Sequence, residues 1–142
     1  MLHRDLSIVA RGSAILFSRR LAAIGISAPE FFLLLYLYEK DRPRQEDIVD
    51  FFMLDKGTIA RTLQKLENKG FIIRTIDQLD QRKKFIQLTD KGYSIKDICI
   101  NLVHKWHEIV LKDISAQDIE VFERVLRTMA INIATNLGNW ES

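Results

Sequence analysis

Cysteine is nearly missing from this 142-residue chain: Cys99 stands alone. One thiol excludes an internal disulfide framework, and any multi-cysteine zinc site within a single chain. Long apolar runs are missing too. The longest, Phe31 to Tyr38, covers eight residues before Glu39-Lys40-Asp41 stops it. A membrane span needs about 20. After Met1-Leu-His-Arg-Asp5 no signal-peptide core develops, because Arg11, Arg19 and Arg20 interrupt the apolar residues. A cytoplasmic protein with no membrane partner is therefore expected. There is no internal repeat and no low-complexity tract. No Ser/His/Asp set, paired carboxylates, Gly-rich phosphate loop or metal constellation stands out, so neither an enzyme nor a cofactor is expected. A large net charge is also lacking: 21 Lys and Arg face 19 Asp and Glu, for +2. Bulk charge by itself is a weak argument for nucleic acid.

What is present is a chain of one domain's length, 47% apolar and 28% charged, enough to bury a core. Its positive charge is concentrated. Residues 55–84 hold eight basic side chains against four acidic ones, a balance of +4, so the remainder carries −2.

Apolar periodicity predicts six helices and one hairpin. The first helix covers residues 6–24 and ends at Gly25. Ser27-Ala-Pro-Glu30 reads as a capping box for a second helix to about Lys40. That helix is apolar on most sides and is the expected core element. Asp41-Arg-Pro43 breaks it. A third helix runs from Gln45 to Phe52. Met53-Leu54 is a tight connection, and Asp55 caps a fourth helix that Gly70 closes. Helices three and four form a helix-turn-helix. Phe71–Ile76 and Phe85–Leu88 are strand-like. The loop 77–83 lacks Gly and Pro, so it reads as a projecting wing. Thr89-Asp-Lys-Gly92 opens a fifth helix to about Lys112. Its apolar residues fall in two stripes, and the second needs another partner. Ser115-Ala-Gln-Asp118 caps a sixth helix that Gly138 ends.

The fourth helix divides cleanly at 100° per residue. Ile59, Leu63 and Leu66 face a core. Opposite them lie Gly57, Arg61, Gln64 and Asn68, with Thr58 and Lys65 flanking. This face has donors and no acids. Arginine can bridge guanine O6 and N7, and glutamine can do the same with adenine N6 and N7. Gly57 costs the helix about 1 kcal/mol against alanine, which suits close approach of a phosphate backbone to the helix end. A solvated helix face is the bland reading. The position, second in a helix-turn-helix and directly before a basic wing, favours DNA. In the wing Asp80 can fix the Arg82 guanidinium, with Lys83 and Lys84 following. An isolated pair of this kind is otherwise a surface contact worth under about 1 kcal/mol.

The run DKGTIARTLQKLENKGFI, the wing DQLDQRKKFIQLTDKG and the two long helices after it resemble the MarR family of bacterial winged-helix regulators. The motif of Asp80 and Arg82 followed by Leu88, Thr89 and Gly92 carries much of the likeness, which runs from about residue 6 to 137. The resemblance implies a mostly α fold with a small β-hairpin wing. In it a winged helix-turn-helix at about 28–89 is flanked by dimerisation helices at about 5–25 and 89–138, in a single domain over 1–142. It also implies a homodimer whose fourth helix enters the major groove of double-stranded DNA at a palindromic operator, with the wing toward the minor groove. The expected function is a DNA-binding transcriptional regulator, a repressor released by a small aromatic or lipophilic effector. Lys56, Gly57, Thr58, Arg61, Gln64, Lys65, Arg82, Lys83 and Lys84 are its expected DNA contacts, and Asp80 orients the wing. The chain departs from the family pattern in four places. Gln78 replaces a proline and Gln81 a wing arginine. Arg44 stands at a Ser/Thr cap position, and Met53 where a small or polar turn residue is common.

Three other residues bear on sensing. Cys99 lies on an apolar stripe and reads as an inert buried thiol rather than a low-pKa sensor. His104 and His107 are spaced as two metal ligands could be, but no third ligand is evident unless Glu108, His3 or a second subunit supplies it. The alternative function is a winged helix serving as a protein-interaction module without specific DNA binding. That reading calls for an apolar patch on the fourth helix or the wing, and the sequence shows none there.

Overall fold

The structure is a computed structural model, and it describes residues 1–137. Its elements are α1 (Leu2–Ala23), α2 (Ala28–Glu39), α3 (Gln45–Phe52), α4 (Lys56–Asn68), β1 (Ile72–Ile76), β2 (Lys84–Leu88), α5 (Asp90–Ser94), α6 (Lys96–Val110) and α7 (Ala116–Asn136). They fall into two compact units, Met1–Trp106 and a second from His107 onward. The mostly α fold with a hairpin wing is present. Among the described residues no single helix is long and apolar enough to cross a membrane.

The first unit is built around α2. Phe31, Leu33, Leu34 and Leu37 are buried there against Leu21 of α1, Ile48 of α3 and Leu63 of α4. Phe32 is the exception, 46% exposed. Only half of the expected capping box forms at the start of α2. The Ser27 hydroxyl accepts from the Glu30 N–H at 3.4 Å, while the Glu30 carboxylate receives Lys69. Gly25 (φ 75°) and Gly70 (φ 81°) end α1 and α4 in the left-handed region that glycine enters at little cost.

Two local devices set the helix-turn-helix. Arg44 has no acceptor to cap α3, so the reciprocal contact does the work: the Asp47 carboxylate accepts from the Arg44 backbone N–H at 2.9 Å. Met53 makes the turn at φ 53°, ψ 33°. A non-glycine residue pays roughly 1–2 kcal/mol for that conformation. The unbranched methionine side chain tolerates it better than a β-branched one would.

β1 and β2 pair antiparallel from Ile72↔Leu88 to Ile76↔Lys84. Ile72 and Ile86 are the buried positions. An isolated bridge from Arg44 to Phe85, with the Ile86 N–H on the Pro43 carbonyl at 2.9 Å, ties the hairpin to the start of α3.

The expected fifth helix is not continuous; it breaks at Ile95 into α5 and α6. Thr89 pins α5 to the hairpin through its hydroxyl on the Gly70 carbonyl (2.6 Å) and its N–H on the Phe71 carbonyl (3.0 Å). The Tyr38 hydroxyl donates to the Gly92 carbonyl at 2.8 Å. A side chain inserted into the helical ladder is a recognised cause of such breaks. Beyond the break Cys99 and Leu102 are buried, and Ile98 remains 45% exposed.

Much apolar surface stays uncovered. α1 buries only Phe17 and Leu21 and leaves Ile8, Val9 and Ile15 exposed. In the second unit Ser115 caps α7 by accepting the Asp118 N–H at 3.1 Å. No residue of α7 is buried, and Phe122, Leu126 and Ile133 are all exposed. The expected stop at Gly138 lies outside the described residues.

Candidate nucleic-acid interface

The expected recognition helix is α4. Asp55 caps it, its carboxylate accepting the Thr58 N–H at 2.8 Å. Hydrogen bonding to the Thr58 side chain first, then to its backbone N–H, and last the nearby Arg61 charge hold the Asp55 carboxyl below its ordinary value. Ile59, Leu63 and Leu66 are buried. Lys56, Gly57, Arg61, Gln64 and Lys65 are exposed, and Thr58 is half-buried. The helix therefore presents the expected polar face.

Within that face Arg61 lies back along the first turn. Its Nη2 donates to the Thr58 hydroxyl at 3.2 Å. A Cβ built at Gly57 would stand 3.1 Å from Arg61 Nη1. A side chain at that position would need the exposed guanidinium to shift by only a few tenths of an ångström.

Gln64 is held at both ends. Its amide oxygen accepts from Arg74 Nη2, and its amide nitrogen donates to Asn68 Oδ1 at 2.9 Å. Arg74 also donates to both Glu67 oxygens, from Nε at 3.2 Å and from Nη2 at 3.1 Å. The Arg74 bonds hold the Glu67 carboxyl below its ordinary value, against a smaller opposing effect of burial. Sequence reasoning missed Arg74 and Glu67. Period-2 alternation was the available signal: Arg74 lies two residues after buried Ile72, on the strand face that meets α4.

Backbone contacts shape the wing. Asp77 accepts from the Leu79 N–H at 2.7 Å, and the Asp77 N–H donates to the Lys83 carbonyl at 2.9 Å. Asp80 accepts from the Arg82 backbone N–H at 3.1 Å. The expectation had Asp80 on the guanidinium. The structure instead has it bracing the loop, a turn that aspartate forms readily. Arg82 and Lys84 are exposed, and Lys83 is half-buried.

One cleft of about 540 Å³ gathers Lys56, Arg82 and Lys84 with Gln45, Glu46, Val49 and Asp50. It lies between α3, the first residue of α4 and the wing. A smaller recess of about 280 Å³ lies on the other side of α4, lined by Ala28, Pro29, Phe32, Leu33, Phe52, Leu54, Thr58, Ile59 and Thr62. Cys99 is fully buried. Burial pushes its thiol up, with the Tyr38 hydroxyl opposing. Among the described residues no three His, Cys, Asp or Glu side chains, His104 and His107 included, come together as metal ligands.

A sequence model of the MarR family matches residues 26–84. The uncharacterized HTH-type transcriptional regulator YdgJ of Bacillus subtilis (strain 168) is 30% identical over 112 residues, 79% of this chain and 68% of YdgJ. The crystal structure of MarR superposes with a TM-score of 0.77 at 28% identity, covering 99% of this chain and 95% of that one. A putative MarR family regulator from Listeria monocytogenes, solved in complex with a 26mer DNA, superposes at 0.85 over 96% of this chain and 90% of its own. At 24% identity that likeness speaks to the fold.

Proposed function

This chain belongs to the MarR family of transcriptional regulators, and on that premise we propose that it is a cytoplasmic homodimeric repressor that binds palindromic operators and releases them to a small-molecule effector. The observation that carries the reading is the convergence of Lys56, Arg82 and Lys84 on one cleft beside the exposed polar face of α4. Three cations from two elements outnumber Glu46 and Asp50 along this groove, and that positive balance suits a phosphate backbone, with the helix face toward the bases. Arg61, Thr58 and Gly57 address base edges or phosphates in the major groove. Gln64 shares that face, with its amide engaged inside it. Lys56 and Lys65 position the helix on phosphates. Arg82, Lys83 and Lys84 serve the wing, and Asp80 shapes it.

A second copy of the chain covers the apolar residues that α1 and α7 leave exposed, since apolar area of this kind marks an interface. A two-fold dimer then places half-sites about 10 bp apart. For the effector, the recess behind α4 offers an apolar lining with two threonines. An aromatic or lipophilic molecule lodged there presses on α4 from its core side.

Selection of bound fragments from random DNA, with light scattering of the complex, tests this. The expected result is a palindrome bound by two chains, with affinity falling steeply as salt rises. A salt-insensitive protein complex and no palindromic DNA would favour the protein-interaction module.

A further inference from the structure

Reading adenine with glutamine takes both ends of the amide: the nitrogen donates to N7, and the oxygen accepts from N6. Arg74 holds the Gln64 oxygen and Asn68 the nitrogen, so although each end keeps capacity for a second hydrogen bond, the amide is tied down on the α4 surface at both ends. Arg74 is the stronger tether. Its fork spans both Glu67 oxygens, and its side chain is only 17% exposed. It also comes from outside the helix, on β1 opposite Ile86. Hydrogen bonds from a charged donor are stronger than neutral ones. Arg61, by contrast, is exposed and bonds a neutral hydroxyl that it can exchange for a guanine edge.

We infer that Arg74 is a positioning residue for sequence specificity: by holding the Gln64 amide oxygen it suppresses adenine reading by Gln64 and leaves base discrimination on α4 to Arg61. The inference rests on the DNA-binding reading of α4. It makes the hairpin part of the recognition chemistry without any contact between Arg74 and DNA.

Base-preference profiling against randomised operators, at one salt concentration, tests it. The proteins compared are wild type, Gln64→Ala, Arg74→Met and the double variant, each confirmed folded by circular dichroism. Methionine keeps much of the apolar stem and removes every donor. Neither wild type nor Gln64→Ala is expected to prefer adenine at the position that Gln64 faces. Arg74→Met is expected to gain about tenfold preference for adenine at one position in each half-site, the scale of a bidentate contact, and the double variant to lose it. Loss of positive charge weakens binding to all sequences alike and does not produce that pattern. Should Arg74→Met fail to fold, Arg74→Lys keeps the charge without the fork and should show a smaller gain at the same position. An adenine preference in wild type that Gln64→Ala abolishes overturns the inference, as does an Arg74 variant with the wild-type profile. Wild type that selects no DNA at all removes the DNA reading and this inference with it. Wild type that selects a palindrome beside an unchanged Arg74 variant removes this inference alone.

Discussion

The Lys69 ammonium lies 2.7 and 3.0 Å from the two carboxylate oxygens of Glu30, and 2.9 Å from the Gly25 carbonyl. Glu30 is 2% exposed. One lysine thus anchors the end of α4 to the corner between α1 and α2. Removing one partner of a buried pair leaves a charge without compensation, whereas replacing both with apolar groups is often neutral. Lys69→Ala is therefore expected to cost roughly 3 kcal/mol, the low end for such pairs because the lysine side chain is 38% exposed. Glu30→Leu with Lys69→Met should recover most of the loss. Urea unfolding measures both. A loss under about 1 kcal/mol for Lys69→Ala, in the range of an ordinary surface pair, would count against the anchor.

Gly92 is the glycine of the motif that follows the wing. A Cβ there would stand 2.3 Å from the Phe71 carbonyl oxygen and 3.0 Å from Leu88 Cδ2. The obstacle is backbone and cannot swing away. Gly92→Ala should lower stability by about 1–3 kcal/mol, as overpacking does. Calorimetry that finds an unchanged Tm would refute the close packing of α5 on the hairpin.

The Glu67–Arg74 contact makes a pH prediction. Hydrogen bonding from Arg74 lowers the folded-state value of Glu67 below the ordinary 4.5. A depressed carboxyl adds stability that is fully present above its unfolded value and is lost as pH falls through its folded value. Wild type should thus be more stable than Glu67→Gln at pH 7, and the gap should narrow below about pH 4.5. A gap that stays constant from pH 7 to 3 would show that the contact contributes nothing through ionisation.

Cys99 should be slow to react. It is fully buried, and burial raises its thiol above the ordinary 9.0. Only the thiolate attacks. A disulfide reagent at pH 7.5 should label the native chain only as fast as local opening allows, and the denatured chain at once. Rapid labelling of the native chain would reopen a redox role.

Local chemistry made most of the fold legible. Asp55, Thr89 and Ser115 cap helices as their side chains predict, and Gly25 and Gly70 end them. The buried side of α4 followed from spacing alone. Three of the misses share one cause, since each depends on a partner brought in from another element. Glu30 looked like a local cap until Lys69, 39 residues later, took its carboxylate. The break at Ile95 accompanies a bond from Tyr38, 54 residues before Gly92. Gln64 looked open because Arg74 reaches it only once the hairpin has folded against α4. Asp80 was a different kind of miss. Its Asp-x-Arg spacing also permits a bond to the Arg82 backbone, and that is the bond it makes.

The central claim is that α4 reads DNA through Arg61. Fluorescence anisotropy on the selected operator, for wild type and Arg61→Ala at several salt concentrations, tests it most directly. Arg61→Ala is expected to cost about 1–3 kcal/mol and to relax the preference at one base pair in each half-site. Unchanged affinity and unchanged selectivity would contradict it.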